Sequence, residues 1–242
     1  MENTAYIALS RQSVLHHNMA IIANNIANVN TPGYRAQNTI FSEYLTKPEG
    51  NKDALSFVVE HGQYQNTNAG PVSQTGNSLD VALIGPGFFG IQGPGGETTY
   101  SRAGNFQIDE EGILRTATGF AVADDGGGDI TIPDDATEIS IDEEGVISDQ
   151  GGEIAKLMVV EFANYQNLKP IGNGLYATTE AGIEAENTKA KQGYVEGSNV
   201  QAVLEMTRMI DTLRSDNSTQ RLVQTEHDRL RTAIQRLTQG AQ

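Results

Sequence analysis

Few side chains in these 242 residues could do chemistry near neutral pH. There are four histidines, His16, His17, His61 and His227, and no cysteine. Without cysteine there are no disulfides, thiolate metal sites or thiol nucleophiles. The adjacent pair His16-His17 comes nearest to a metal site, but neighbours on a helix point about 100° apart and cannot easily share one ion. Two stretches invite a calcium reading, Gln107-Ile108-Asp109-Glu110-Glu111-Gly112-Ile113 and Ser140-Ile141-Asp142-Glu143-Glu144-Gly145-Val146. A calcium loop needs oxygen ligands at alternate positions and a downstream bidentate acid, whereas here an apolar strand follows the glycine. Both are expected to be hairpin turns closed by glycine at positive φ. The run Asp124–Asp129 occurs once, calcium-binding glycine-aspartate repeats need tandem copies, and a flexible loop is expected. No Ser-His-Asp set, paired acids or phosphate loop stands out, so neither an enzyme nor a metal or cofactor site is expected.

What remains is the pattern of the elements. From Thr4 to Asn30, Leu15, Met19, Ile22, Ile26 and Val29 recur in steps of four and three, a heptad seam on a helix. Asn3 or Thr4 is the expected N-cap, and Pro32-Gly33 ends the helix, a rod of roughly 40 Å at 1.5 Å per residue. Asn18 and Asn25 flank the seam, and His17, Ala20, Asn24, Ala27 and Asn28 lie opposite. Between Arg11 and Arg35 there is no charged residue, whereas an ordinary surface helix keeps charge on its solvent face. A helix with small and amide side chains all round fits a surface that touches protein on both sides.

At the other end, Ser198 with Gln201 spells a capping box, and about 39 residues then run without Gly or Pro to Gly240. Val203, Met206, Ile210 and Leu213 form one seam and Val223, Leu230 and Leu237 a second, one residue out of phase across Ser215–Arg221. The phase change predicts a bend or a change of partner there. Neither end helix can bury its seam alone. An amide-rich pair of this kind is marginal in isolation, so ordering on assembly is expected.

Between the helices, residues 36–70 predict an extended connector with a loop over Lys47–Asp53 and one strand over Leu55–Val59. Short strands with turn punctuation follow: Leu79–Ile84, Phe88–Gln92, Thr98–Arg102, Asn105–Ile108, Ile113–Thr116, Phe120–Ala123, Asp129–Ile132, Glu138–Ile141, Val146–Ser148 and Ala155–Phe162. The fold class is therefore α+β, a mainly antiparallel β domain of sandwich or barrel type between two end helices that pair in coiled-coil fashion. The expected division is an assembly helix at 1–36, a connector at 37–70, a β domain at 71–192 and a second assembly helix at 193–242.

The charge follows the same division. Residues 1–36 hold two arginines against one acid and residues 200–242 six against five, so the total of −15 leaves −17 in residues 37–199. An acidic middle with no basic stripe repels nucleic acid. No stretch approaches the roughly 20 consecutive apolar residues of a membrane-spanning helix, and no basic-then-apolar leader opens the chain, so membrane insertion and a cleaved signal peptide are not expected.

The segment Ala23-Asn24-Asn25-Ile26-Ala27-Asn28-Val29-Asn30-Thr31-Pro32-Gly33-Tyr34-Arg35 resembles the N-terminal signature of bacterial flagellar rod and hook proteins. Gln192–Val200 and Glu205–Ile210 are similar to the C-terminal block of that family, with Gly197 as a departure. Tyr100–Phe106 with the hairpin Ile108–Leu114 resembles its β domain. The start Met1-Glu2-Asn3, the Gly174-Leu175-Tyr176 run, Thr207–Ile210 and the length resemble a proximal rod member; a distal rod or hook-type subunit is the alternative.

The resemblance implies a structural subunit that leaves the cytoplasm through the flagellar type III export apparatus, without a cleaved signal. It also implies assembly across the periplasm with copies of itself and other rod proteins. On this view Leu15, Met19, Ile22, Ile26, Val29, Val203, Met206, Ile210, Leu213, Val223, Leu230 and Leu237 carry subunit assembly. Asn24, Asn25 and Asn28 satisfy polar contacts between subunits, and Ile22→Asp abolishes incorporation. The alternative from a different class is a glycan-binding β module with helical tails, which calls for a cleft lined by aromatics.

Overall fold

The computed structural model describes residues 2–46, 55–136 and 138–239, so the expected loop Lys47–Asp53 lies outside the described residues. The chain divides into two compact units: residues 1–27, 37–64 and 201–242 in one, residues 28–36 and 65–200 in the other. The grouping differs from a linear division. The stretch after the first helix belongs to the β unit, and most of the connector belongs to the helical one.

The helical unit holds α1 (Glu2–Ala27), β1 (Gln37–Thr46), β2 (Leu55–Gln65) and α2 (Ala202–Gln239). Helix α1 begins before the expected caps. It ends at Ala27, five residues ahead of Pro32, in a turn where the Thr31 amide donates to the Asn28 carbonyl at 3.2 Å. The connector is a two-stranded ribbon where one strand was expected. Helix α2 runs unbroken through Ser215–Arg221. The capping box does not form: the Ser198 hydroxyl accepts from the Val200 amide at 3.2 Å, and the Gln201 carbonyl takes the Glu205 amide at 3.0 Å.

Every strand pairing described in the β unit is antiparallel. Its largest sheet has six strands, built around Phe88–Gln92 and Thr98–Ser101 with Gly90 opposite Tyr100. The main core packs Phe89, Ile91, Phe106, Leu114, Ile130 and Ile147. Burying side chains of this size stabilises by about 1.5–3 kcal/mol each. The expected long strand Ala155–Phe162 is split where it changes partner: Gly152–Lys156 pairs with Val146–Asp149, and Val159–Glu161 pairs with Phe88–Gln92. A second cluster joins Phe88, Phe162, Leu168 and Tyr176, with Phe88 edge-on to both Phe162 and Tyr176 at 5.9 Å. The aromatics of this cluster pack one another.

The twin acidic turns are one device used twice. Asp109 Oδ1 accepts from the amides of Glu111 and Ile113, and Asp142 Oδ1 from those of Glu144 and Val146. Gly112 and Gly145 sit at φ 79° and 83°, where an L side chain is strained. The Asp124–Asp129 run is a hydrogen-bonded turn, with the Gly128 amide on Asp124 Oδ1 at 2.6 Å.

Candidate functional site

In the helical unit α1 and α2 pair antiparallel. Asn25 Nδ2 donates to Glu205 Oε2 at 3.2 Å, Asn18 Nδ2 to Thr212 Oγ1 at 3.4 Å, and His16 Nε2 lies 3.4 Å from Asp216 Oδ1. The residue numbers rise on one helix as they fall on the other. On α2 the row facing α1 is therefore Glu205, Thr212, Asp216 and Thr219, all buried, with Met209 half-buried among them. This row is polar and heptad-spaced.

Polar residues in a helix seam specify register at a cost in stability. The cost is visible at Asp216, whose Oδ2 accepts from Gln220 Nε2 at 2.8 Å while its buried Oδ1 has no hydrogen bond and lies 3.4 Å from the His16 imidazole. On α1, Leu15 and Ile22 share the facing row by spacing, half-buried and buried respectively. Asn18 and Asn25 occupy the intervening positions that Met19 and Ile26 were expected to fill. Asn25 is 1% exposed and also brackets the start of β1, donating to the Gln37 carbonyl at 2.8 Å and accepting its amide at 3.0 Å. His17 meets Gln63 at 2.8 Å, so the two histidines diverge to α2 and to β2. Among the described residues no group of three could hold a metal ion.

The expected seam of α2 lies elsewhere. Val203 (79% exposed), Met206, Ile210 and Leu213 are all exposed. At 3.6 residues per turn they centre about 120° around the helix from the polar row. The second expected seam falls on the row that faces α1 and continues it. That row is buried as far as Thr219, half-buried at Val223, and exposed at Leu230 and Ile234. By spacing it continues to Leu237, whose side chain lies outside the described ones. The one-residue phase change thus separates two faces of a single continuous helix. Met19, Ile26, Asn28 and Val29 are half-buried and Asn24 is exposed. Ile40, Phe41, Tyr44 and Leu45 are exposed on β1, where successive side chains point to opposite faces, so both faces of the ribbon carry apolar groups.

In the β unit, the segments that follow α1 and precede α2 in sequence are tied together by buried charge. Glu196, 1% exposed, receives Arg35 Nη2 on Oε1 at 2.8 Å and Arg102 Nη2 on Oε2 at 2.6 Å, and its Oε1 also accepts the Gly70 amide at 2.9 Å. Arg102, equally buried, spends its remaining donors on the carbonyls of Leu83, Gly85 and Gly87 and lies over the Phe88 ring. Burial pushes its pKa down from the ordinary arginine value and Glu196 draws it back up. Two backbone bonds and one side-chain bond complete the junction: Gly33 amide to Glu196 carbonyl at 2.8 Å, Asn199 amide to Tyr34 carbonyl at 3.2 Å, and Ala36 amide to the Asn199 side-chain Oδ1 at 2.7 Å. Gly33, at φ 68°, packs so closely on the Arg102–Ala103 backbone that any Cβ would overlap it. The Gly33-Tyr34-Arg35 end of the signature is thus an internal fastening.

Sequence reasoning missed both the polar row and this fastening. The first left a signal, polar residues at spacings of seven: Glu205, Thr212, Thr219 and Glu226 on α2, Asn18 and Asn25 on α1. The second left none, since Arg35 and Glu196 stand far apart in sequence.

Residues 6–35 match a family described as flagella basal body rod protein. Residues 82–149 match the flagellar hook protein FlgE/F/G D1 domain, and residues 191–236 the flagellar basal body rod FlgEFG protein C-terminal region. The chain is 35% identical to the flagellar basal-body rod protein FlgF of Caulobacter vibrioides over 98% of both chains, and 33% identical to FlgF of Rhizobium meliloti, again over 98% of both. It is 34% identical to FlgG of Agrobacterium fabrum over 90% of this chain and 93% of that one. The more complete coverage slightly favours FlgF over FlgG.

Proposed function

The chain belongs to the family of flagellar basal-body rod proteins, a structural subunit of the basal body most like FlgF, and we propose that it joins its neighbours through the apolar face of α2. The observation that carries this is the inverted helix. Its buried row is polar, and Val203, Met206, Ile210 and Leu213 stand exposed. Four exposed apolar side chains in one row form a surface that water disfavours and that a second helix covers well.

Met19, Ile26 and Val29, half-buried, hold the α1 side of this assembly with Asn24 and Asn28, while Leu15, Ile22 and Asn25 act through the α1–α2 pair within the chain, and Val223, Leu230 and Leu237 extend the α2 side. The subunit sits in the proximal rod, among copies of itself and other rod proteins, and reaches the periplasm through the flagellar type III export apparatus. It has no catalytic role. Its helices transmit torque through many modest side-by-side contacts that are collectively stiff.

Ile22 is buried against its own chain, so Ile22→Asp would disturb the monomer as well as the assembly. Met206→Asp and Leu213→Asp, at exposed positions, make the cleaner test. Each is expected to abolish rod incorporation and swimming in a bacterium relying on that copy, with the β unit still resistant to protease. Normal swimming in both would overturn the proposal.

A further inference from the structure

The polar row that joins α1 to α2 repeats at heptad spacing, so it fits itself in more than one way. In the observed register Asn25 meets Glu205 and Asn18 meets Thr212. One heptad along, by spacing, Asn25 would face Thr212 and Asn18 would face Thr219, amide on hydroxyl once more. A single buried amide specifies the register of a helix pair, whereas a repeated one leaves it open to a slide of about 10 Å. The choice therefore falls to something outside the row.

We propose that Asn199 makes that choice, as the positioning residue that indexes α2 to α1. Its side chain works as acceptor and donor at once: Oδ1 accepts the Ala36 amide at 2.7 Å, and Nδ2 donates to the carbonyls of Asn66 and Asn68 at 2.9 and 2.8 Å. The Asn66 amide in turn donates to the Ala36 carbonyl at 2.8 Å. A hydroxyl lacks the second donor, a carboxylate lacks both, and glutamine is a methylene too long. The residue after Ala36 is Gln37, whose amide and carbonyl Asn25 brackets. So α1 is pinned to Gln37, Gln37 is covalently joined to Ala36, and Ala36 is pinned to Asn199. Helix α2 begins three residues after that, at Ala202. Neither intervening residue is a free linker. Val200 is buried with its amide held by the Ser198 hydroxyl at 3.2 Å, and the Gln201 carbonyl already takes the Glu205 amide at 3.0 Å. With both pins in place no slack remains to absorb a heptad slide.

The chain has no cysteine, so spin labels can be placed on introduced ones. Full-length protein carrying Ala20→Cys and Arg214→Cys, both at exposed positions, is expected to give one distance population. Adding Asn199→Ala should produce a second population with helix content unchanged, although every residue of the polar row is intact. Asn68→Ala keeps the carbonyl to which Asn199 donates and should keep the single population. Asn199→Ser, which retains a hydroxyl, takes the place of Asn199→Ala if that variant does not fold. A single population in the Asn199 variant, with or without a lower melting temperature of the β unit, would overturn the proposal and leave Asn199 an ordinary stabilising residue. Swimming of the Met206→Asp and Leu213→Asp strains decides the rod reading independently, because those residues lie outside both pins.

Discussion

In the β unit Phe89, Ile91 and Ile147 are buried while Glu110, Glu111, Glu143 and Glu144 face solvent. In the helical unit Glu205, Thr212, Asp216 and Thr219 are buried while Val203, Met206 and Ile210 are exposed. The first arrangement is what a chain does when it folds for its own stability, because apolar burial is the main favourable term. The second sacrifices that term within one molecule and retains it for contact with others. Buried charge also differs between the two. In the β unit Glu196 meets two arginines and a backbone amide, whereas in the helical unit Asp216 has no arginine or lysine: Gln220 Nε2 donates to Oδ2 at 2.8 Å and the His16 imidazole lies 3.4 Å from Oδ1.

The largest effect should come from the well-partnered charge. Glu196→Ala leaves two guanidiniums buried without a counter-ion and is expected to cost about 3–5 kcal/mol. A lowered melting transition of the β unit would register it; an unchanged one would show that the junction is held by its backbone bonds alone.

Asp216→Leu tests the opposite region and should move stability the other way. Removing the buried, unsatisfied Oδ1 gains roughly 1–3 kcal/mol and losing the Gln220 bond to Oδ2 costs about 1, so a net stabilisation of the α1–α2 pair by about 1 kcal/mol is expected. The helical signal should then persist to higher temperature, and a fall would mean that the His16 and Gln220 contacts outweigh the burial penalty. With Thr212→Val added, register should loosen. Spin labels at Ala20 and Arg214, both exposed, would then show a second distance population, from an axial slide of about 10 Å, one heptad.

The smallest effect concerns pH. The Arg115 guanidinium beside Asp109 holds its carboxyl below the usual carboxylate range, helped by the amides of Ile113 and Glu111. A group whose folded pKa is depressed stabilises above its unfolded value, and that contribution is lost as pH falls through the lowered folded value. Acid unfolding of the β unit should therefore be slightly less steep in Asp109→Asn. Superimposable acid transitions would remove this turn from the account.

The sequence made the β unit legible where contacts are local. Phe88–Gln92 and both acidic turns follow from runs of a few residues, and Gly112 and Gly145 mark the turns by chemistry. The ribbon strand β1 was hidden because Ile40-Phe41 and Tyr44-Leu45 are adjacent apolar pairs, which blur the alternation of a half-buried strand. The existence and pairing of the end helices could be read from their heptads. The face they turn to each other could not, because the expectation that apolar residues meet first fails when the meeting row is Glu205, Thr212 and Asp216. The Arg35–Glu196–Arg102 cluster is set by topology, and no local pattern in the chain announces it.

That cluster also sets an order of events for any process that delivers the chain start first, whether a ribosome or a secretion channel. Arg35 and Arg102 emerge early, but their shared counter-ion is residue 196, so the β unit cannot neutralise its interior until more than four fifths of the polypeptide is out. Products terminated before that point carry two cations with nowhere dry to go.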